Sequence, residues 1–128
     1  MFSLNEMETF NQQTKDIQDL LFKTYDNFFK EAGFKVKNEG SWHRATNPTK
    51  TAFVQYGVFG NILQGSFDIY VSVRYQQSEL GSFNITTKKD VDLEKVKKQL
   101  YLILKDADFI QLSYFNLPQK VNKEYEVK

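Results

Sequence analysis

The sequence predicts an α+β fold. It takes the form of a two-layer sandwich, in which an antiparallel meander sheet of about four to five strands carries a long N-terminal helix and a second, C-terminal helix on one face. Three observations lead there. Apolar residues recur at spacings of three and four over residues 7–32 and again over 93–107, as on one side of a helix. Between these stretches they alternate with polar residues, as in strands with one dry face. The alternating runs are separated by short turn-forming segments, which suit antiparallel neighbours and are too short for parallel crossovers. A length of 128 residues fits one domain with one core. We assign residues 1–118 to that domain and 119–128 to a polar C-terminal tail that frays.

The first helix has the clearest ends. Ser3 and Glu6 have the spacing of a capping box, in which the hydroxyl takes one free amide and the carboxylate another. Phe2 and Met7 stand where a hydrophobic staple belongs, and Gly33 stands where a glycine would close the helix. Met7, Phe10, Thr14, Ile17, Leu21, Tyr25, Phe28 and Ala32 form the main stripe. Phe22 and Phe29 sit beside it as a second seam, which makes the apolar arc wider than one sheet face requires. This seam is expected to meet either the second helix or a protein partner, including another copy of the chain.

The strands follow in order. Phe34–Lys37 is short, Asn38-Glu39-Gly40 turns, and Ser41–Thr46 pairs back until Asn47-Pro48 interrupts it. Ala52–Phe59 leads to a turn over Gly60–Gly65, with Gly60-Asn61 as the hairpin pair. Phe67, Ile69, Val71, Val73 and Tyr75 then alternate with polar neighbours in the clearest strand of the chain. Gln77–Gly81 is expected to turn, and Phe83, Ile85 and Thr87 alternate again. Asp92 caps the second helix, whose stripe is Leu93, Val96, Leu100, Ile103, Leu104 and Ala107. Ile110, Leu112 and Tyr114 alternate as a last strand, ended by Pro118.

Composition removes several classes of function. The chain has no Cys, hence no disulfide, thiolate nucleophile or zinc-thiolate site. Aromatics make up 16% of the residues, far from the composition of a disordered chain. A net charge of +1 gives no strong overall field toward nucleic acid or anionic lipid, although residues 34–89 are mildly basic and residues 1–33 acidic. The N-terminus lacks a basic start and apolar core, and the longest apolar run, Leu100–Leu104, is far too short to span a bilayer. The expectation is a cytoplasmic protein without a membrane role.

No motif of a familiar enzyme is present. Gly60–Gly65 has the glycine spacing of a phosphate loop, but Ser66 stands where its Lys belongs. A single His cannot build a zinc hydrolase, and any Ser-His-Asp site would have to use His43 as its base. Asp90/Asp92 and Asp106/Asp108 are acidic pairs that caps and turns explain without a metal. Neither a cofactor nor a metal is expected. Ala52-Phe53-Val54-Gln55-Tyr56 matches only the second half of an aromatic RNA-binding signature.

The most functional-looking stretch is Ser41-Trp42-His43-Arg44, with the sole Trp, the sole His and one of the few Arg. Strand alternation puts Trp42 and Arg44 on one face and His43 on the other. That favours a binding pair over a catalytic cluster. Trp42 and Arg44 are the primary binding candidates, Lys50 is secondary and His43 comes last; Phe22 and Phe29 are the candidate partner interface. The expected function is that of a small non-catalytic protein-binding protein, an adaptor or inhibitor encoded by a phage or other mobile element. The alternative is a binder of nucleic acid or a nucleotide ligand through the basic, aromatic middle segment.

Overall fold

In the computed structural model, which describes residues 2–49, 52–76, 78–114 and 120–128, the chain opens with α1 (Leu4–Glu31). Both of its ends form as the sequence dictates. Ser3 Oγ accepts from the Glu6 amide at 3.1 Å, and the Glu6 carboxylate accepts from the Ser3 amide. At the other end Gly33 adopts φ +86°. The Gly33 amide donates to the Lys30 carbonyl and the Phe34 amide to the Phe29 carbonyl. The Phe29 and Phe34 rings lie 4.9 Å apart, the apolar contact that accompanies this helix stop.

Five strands follow: β1 (Lys35–Asn38), β2 (Trp42–Thr46), β3 (Ala52–Asn61), β4 (Ser66–Tyr75) and β5 (Ser78–Lys88). Then come α2 (Leu93–Leu104), α3 (Ala107–Ser113) and β6 (Val121–Val127). Among the described residues the sheet runs β1-β2-β3-β4-β5-β6. Pairing is antiparallel from β1 to β5, and β6 joins β5 in parallel. The helices lie on one face. There Phe10, Ile17, Leu21 and Tyr25 of α1 and Val96, Leu100 and Ile103 of α2 bury themselves over the inward residues of β3, β4 and β5. Ile69, Val71 and Val73 are completely buried, as the alternation predicts.

Four expectations need correction. The β3–β4 turn lies at 62–65 and not at Gly60-Asn61, because Gly60 is inside β3 beneath α1. A Cβ there would come within 2.7 Å of the Phe10 ring. Gly81 likewise does not turn the chain but sits within β5, where a Cβ would meet Leu112 of α3 at 2.5 Å and the Val121 carbonyl of β6 at 2.8 Å. Both glycines mark close approach of another element.

The third correction is the end of the chain's helical part. Ile110, Leu112 and Tyr114 belong to or abut α3 and form no strand. Asp106 caps α3, accepting from the amides of Asp108 and Phe109. Phe109, Leu112 and Ser113 then bury at helical spacing while Ile110 and Tyr114 stay exposed. The fourth is the tail: residues 121–127 form an ordered edge strand whose alternate residues face inward. Lys123 reaches both Asp106 and Asp108 at 2.8 Å, and Thr87 Oγ1 donates to the Val127 carbonyl. Pro118 lies outside the described residues. No helix among the described residues is long and apolar enough to cross a membrane.

Candidate functional site

Strand β2 carries the candidate residues, and its register sorts them by face. Trp42 lies opposite Gly57, His43 opposite Tyr56 and Arg44 opposite Gln55. His43 therefore points toward α1, while Trp42 and Arg44 point to the face that bears no helix among the described residues, as the alternation predicts. Lys50, the secondary candidate, lies outside the described residues.

On the inner face His43 is part of a closed polar cluster. Its Nδ1 lies 2.9 and 3.0 Å from the two carboxylate oxygens of Asp26, on α1. The Tyr56 hydroxyl donates to Asp26 Oδ1 at 2.5 Å. The Phe22 ring stacks flat on the imidazole, centroids 3.5 Å apart and 8° from parallel. Burial, then the hydrogen bond to Asp26, pushes the Tyr56 phenol far above its ordinary range, so Tyr56 serves as a donor and not as a phenolate. Three elements, α1, β2 and β3, each contribute one polar group. The arrangement pins α1 to the sheet.

This cluster corrects the reading of Phe22 and Phe29 as a partner seam. Phe29 is 1% exposed and lies in the core against Phe34, Tyr56 and Phe109. Phe22 is half-buried against His43. Phe22 is covered by His43 and Tyr56 and Phe29 by Tyr56, Phe34 and Phe109, all of the same chain. The residue that sequence reasoning passed over is Asp26. It stands on the line Phe22-Asp26-Phe29, at intervals of four and three, and a carboxylate in an apolar seam is the signal that a buried partner awaits it.

On the outer face Trp42 meets Phe59 edge-on at 5.1 Å and Tyr70 at 5.9 Å. An added Cβ on Gly57 would touch the indole at 3.1 Å, so the ring lies directly over that backbone. Arg44 Nε pairs with Glu39 Oε1 at 2.7 Å, and its guanidinium sits 4.2 Å from the centre of the Phe53 ring. The Tyr70 hydroxyl donates to Glu79 at 2.7 Å, and Lys120 pairs with the same carboxylate at 3.0 Å. Burial alone would raise the Glu79 carboxyl, but the hydrogen bonds from Tyr70 and Lys120 hold it below the usual range. Phe59 is 47% exposed. The result is a helix-free surface of four aromatics with a fixed Arg at its side.

Comparison with family models, with curated proteins and with solved structures finds no match.

Three carboxylates of the acidic pairs are occupied within the fold. Asp92 caps α2 through the Glu94 amide, and Lys123 spans Asp106 and Asp108. Among the described residues no three His, Asp or Glu side chains converge as metal ligands. A shallow groove of 300 Å³ lies beside Phe2, Phe10, Ile62 and Lys89. It shares no residue with the Trp42 surface.

Proposed function

We propose that this protein is a non-catalytic protein-binding module of the adaptor or inhibitor kind, and that its contact surface is the open sheet face centred on Trp42. The observation that carries the proposal is the Trp42–Phe59–Tyr70 cluster, with Arg44 over Phe53, on the side of the sheet without a helix. Trp, Tyr and Arg are the residue types that dominate binding energy at protein interfaces. Here their rotamers are already restrained by neighbours, which lowers the entropy lost on binding.

The same aromatics would serve as a stacking platform for single-stranded nucleic acid. Charge on this face is mixed, which suits a protein partner better than a polyanion: Lys35 and Lys37 share it with Asp68 and Glu124. Arg44 is neutralised by Glu39. Asp68 and Glu124 share the outer face, since Asp68 pairs with Phe59, and Glu124 pairs through Asn84 with Tyr70. A polyanion would meet these carboxylates beside the rings.

The test has two parts. Acrylamide should quench the sole Trp efficiently in the free protein; strong protection would show that the ring is unavailable to any partner. In pull-downs from host lysate, a protein retained by the wild type should be lost with Trp42→Ala at unchanged thermal stability. Retention of single-stranded oligonucleotide with a steep dependence on salt would favour the nucleic-acid reading instead.

A further inference from the structure

The two edges of the sheet carry opposite charge on one face. Lys35 and Lys37 of β1 lie opposite Thr46 and Arg44, so they share the Trp42 face. Glu124 and Glu126 of β6 pair with Asn84 and Thr86, which lead through Tyr70 and Asp68 to the same face. All four side chains are exposed. None makes an ion pair with another described residue. Among the described residues each edge strand is hydrogen-bonded on one side only, β1 to β2 and β6 to β5. On the inner side the edges end in half-buried apolar residues: Val36 on β1, and Val121 and Tyr125 on β6.

Strand direction limits how two such edges can meet. Four successive antiparallel pairings make β1 and β5 run the same way, and β6 is parallel to β5. With the outer faces kept on one side, β6 can join β1 of another copy only in parallel, extending the parallel pairing that β5 and β6 already make. The two-fold alternatives, β1 on β1 and β6 on β6, would be antiparallel. They would set Lys against Lys and Glu against Glu, and like charges directly opposite on a sheet are destabilising. An edge that only needs protection from stray pairing can carry charge of either sign. Opposite signs on the two edges repel both symmetric contacts and attract the head-to-tail one.

We propose that this chain associates head to tail with copies of itself, β6 of one copy extending the sheet beside β1 of the next, with Glu124 and Glu126 facing Lys35 and Lys37. The contact uses strand edges and is independent of the partner surface around Trp42.

Light scattering after size-exclusion chromatography, run over a concentration series at low salt, tests it. The wild type should show a mass of two or more chains that declines as salt rises. The variant E124K/E126K should be monomeric, and so should K35E/K37E. An equal mixture of the two variants should regain the wild-type mass, since each then offers the edge the other lacks. Circular dichroism of each variant checks that these exposed changes leave the fold intact. A wild type that stays monomeric up to its solubility limit overturns the proposal. So does an assembly that survives both charge reversals, or two variants that remain monomeric when mixed.

Discussion

Val58 and Phe59 are neighbours on β3, yet one is 6% exposed and the other 47%. The two faces also differ in how their side chains are held. On the inner face polar groups are matched within the chain: Asp26 receives His43 and Tyr56, and the Tyr25 hydroxyl reaches the Leu100 carbonyl. On the outer face Trp42 packs on Phe59, Tyr70 and the Gly57 backbone, and Phe53 lies against Arg44. A buried layer must satisfy every polar atom it contains. An open layer has no such requirement, and its rings are therefore free to serve recognition. The two faces should respond very differently to substitution.

The largest effect belongs at the centre of the inner face. Val71 is fully buried in β4, and Val71→Asp places an unpaired carboxylate under the helices. We expect loss of cooperative folding, because such a charge has no compensating partner. Far-UV circular dichroism with a denaturant titration decides it. A soluble, cooperatively unfolding Val71→Asp protein would mean that the faces are assigned backwards.

A middle-sized effect is expected at the join between α1 and the sheet. Asp26→Ala deprives both the His43 ring and the Tyr56 hydroxyl of their acceptor. Leaving buried donors unsatisfied costs about 1–3 kcal/mol, read as a lower denaturation midpoint. Glu39→Ala is the matching change outside. It removes the partner of Arg44 at a partly exposed ion pair and should shift stability by no more than about 1 kcal/mol. Equal losses from the two changes would erase the distinction between a required polar cluster and a surface pair.

Legibility in the sequence followed the range of the deciding contacts. The caps of α1 are set within four residues, so Ser3, Glu6 and Gly33 could be read directly. The face of β4 is set by alternation alone, and Ile69, Val71 and Val73 fall where it puts them. The same alternation placed Trp42 and Arg44 together and His43 opposite. By contrast, alternating Ile110, Leu112 and Tyr114 fit a strand or a helix equally well. The Asp106 cap, and the docking of Leu112 on Gly81 across the sheet, decide for the helix. Strand β6 reads as a polar tail because its inward Lys123 becomes acceptable only beside Asp106 and Asp108. The pairing of Asp26 with His43 depends on the rotation of a long helix over β2, which no local pattern specifies.

The smallest effect on stability, and the sharpest test of the comparison, lies at Phe59. Its neighbour Val58 belongs to the core, whereas the Phe59 ring touches Trp42 and leaves nearly half its surface in water. Phe59→Ser removes apolar area of which nearly half is already hydrated, so folding loses only part of the hydrophobic free energy of a buried ring. We expect a loss of about 1 kcal/mol or less. Accessibility of Trp42 should rise, because one wall of its aromatic cluster is gone, and acrylamide quenching measures that without any partner. Two outcomes would contradict this. A loss as large as that from Asp26→Ala would make the outer aromatics structural, and an unchanged quenching constant would mean that Phe59 does not shield the indole. If stability holds while quenching rises, the outer face is stable without its full aromatic cluster, and the exposed rings are left for recognition.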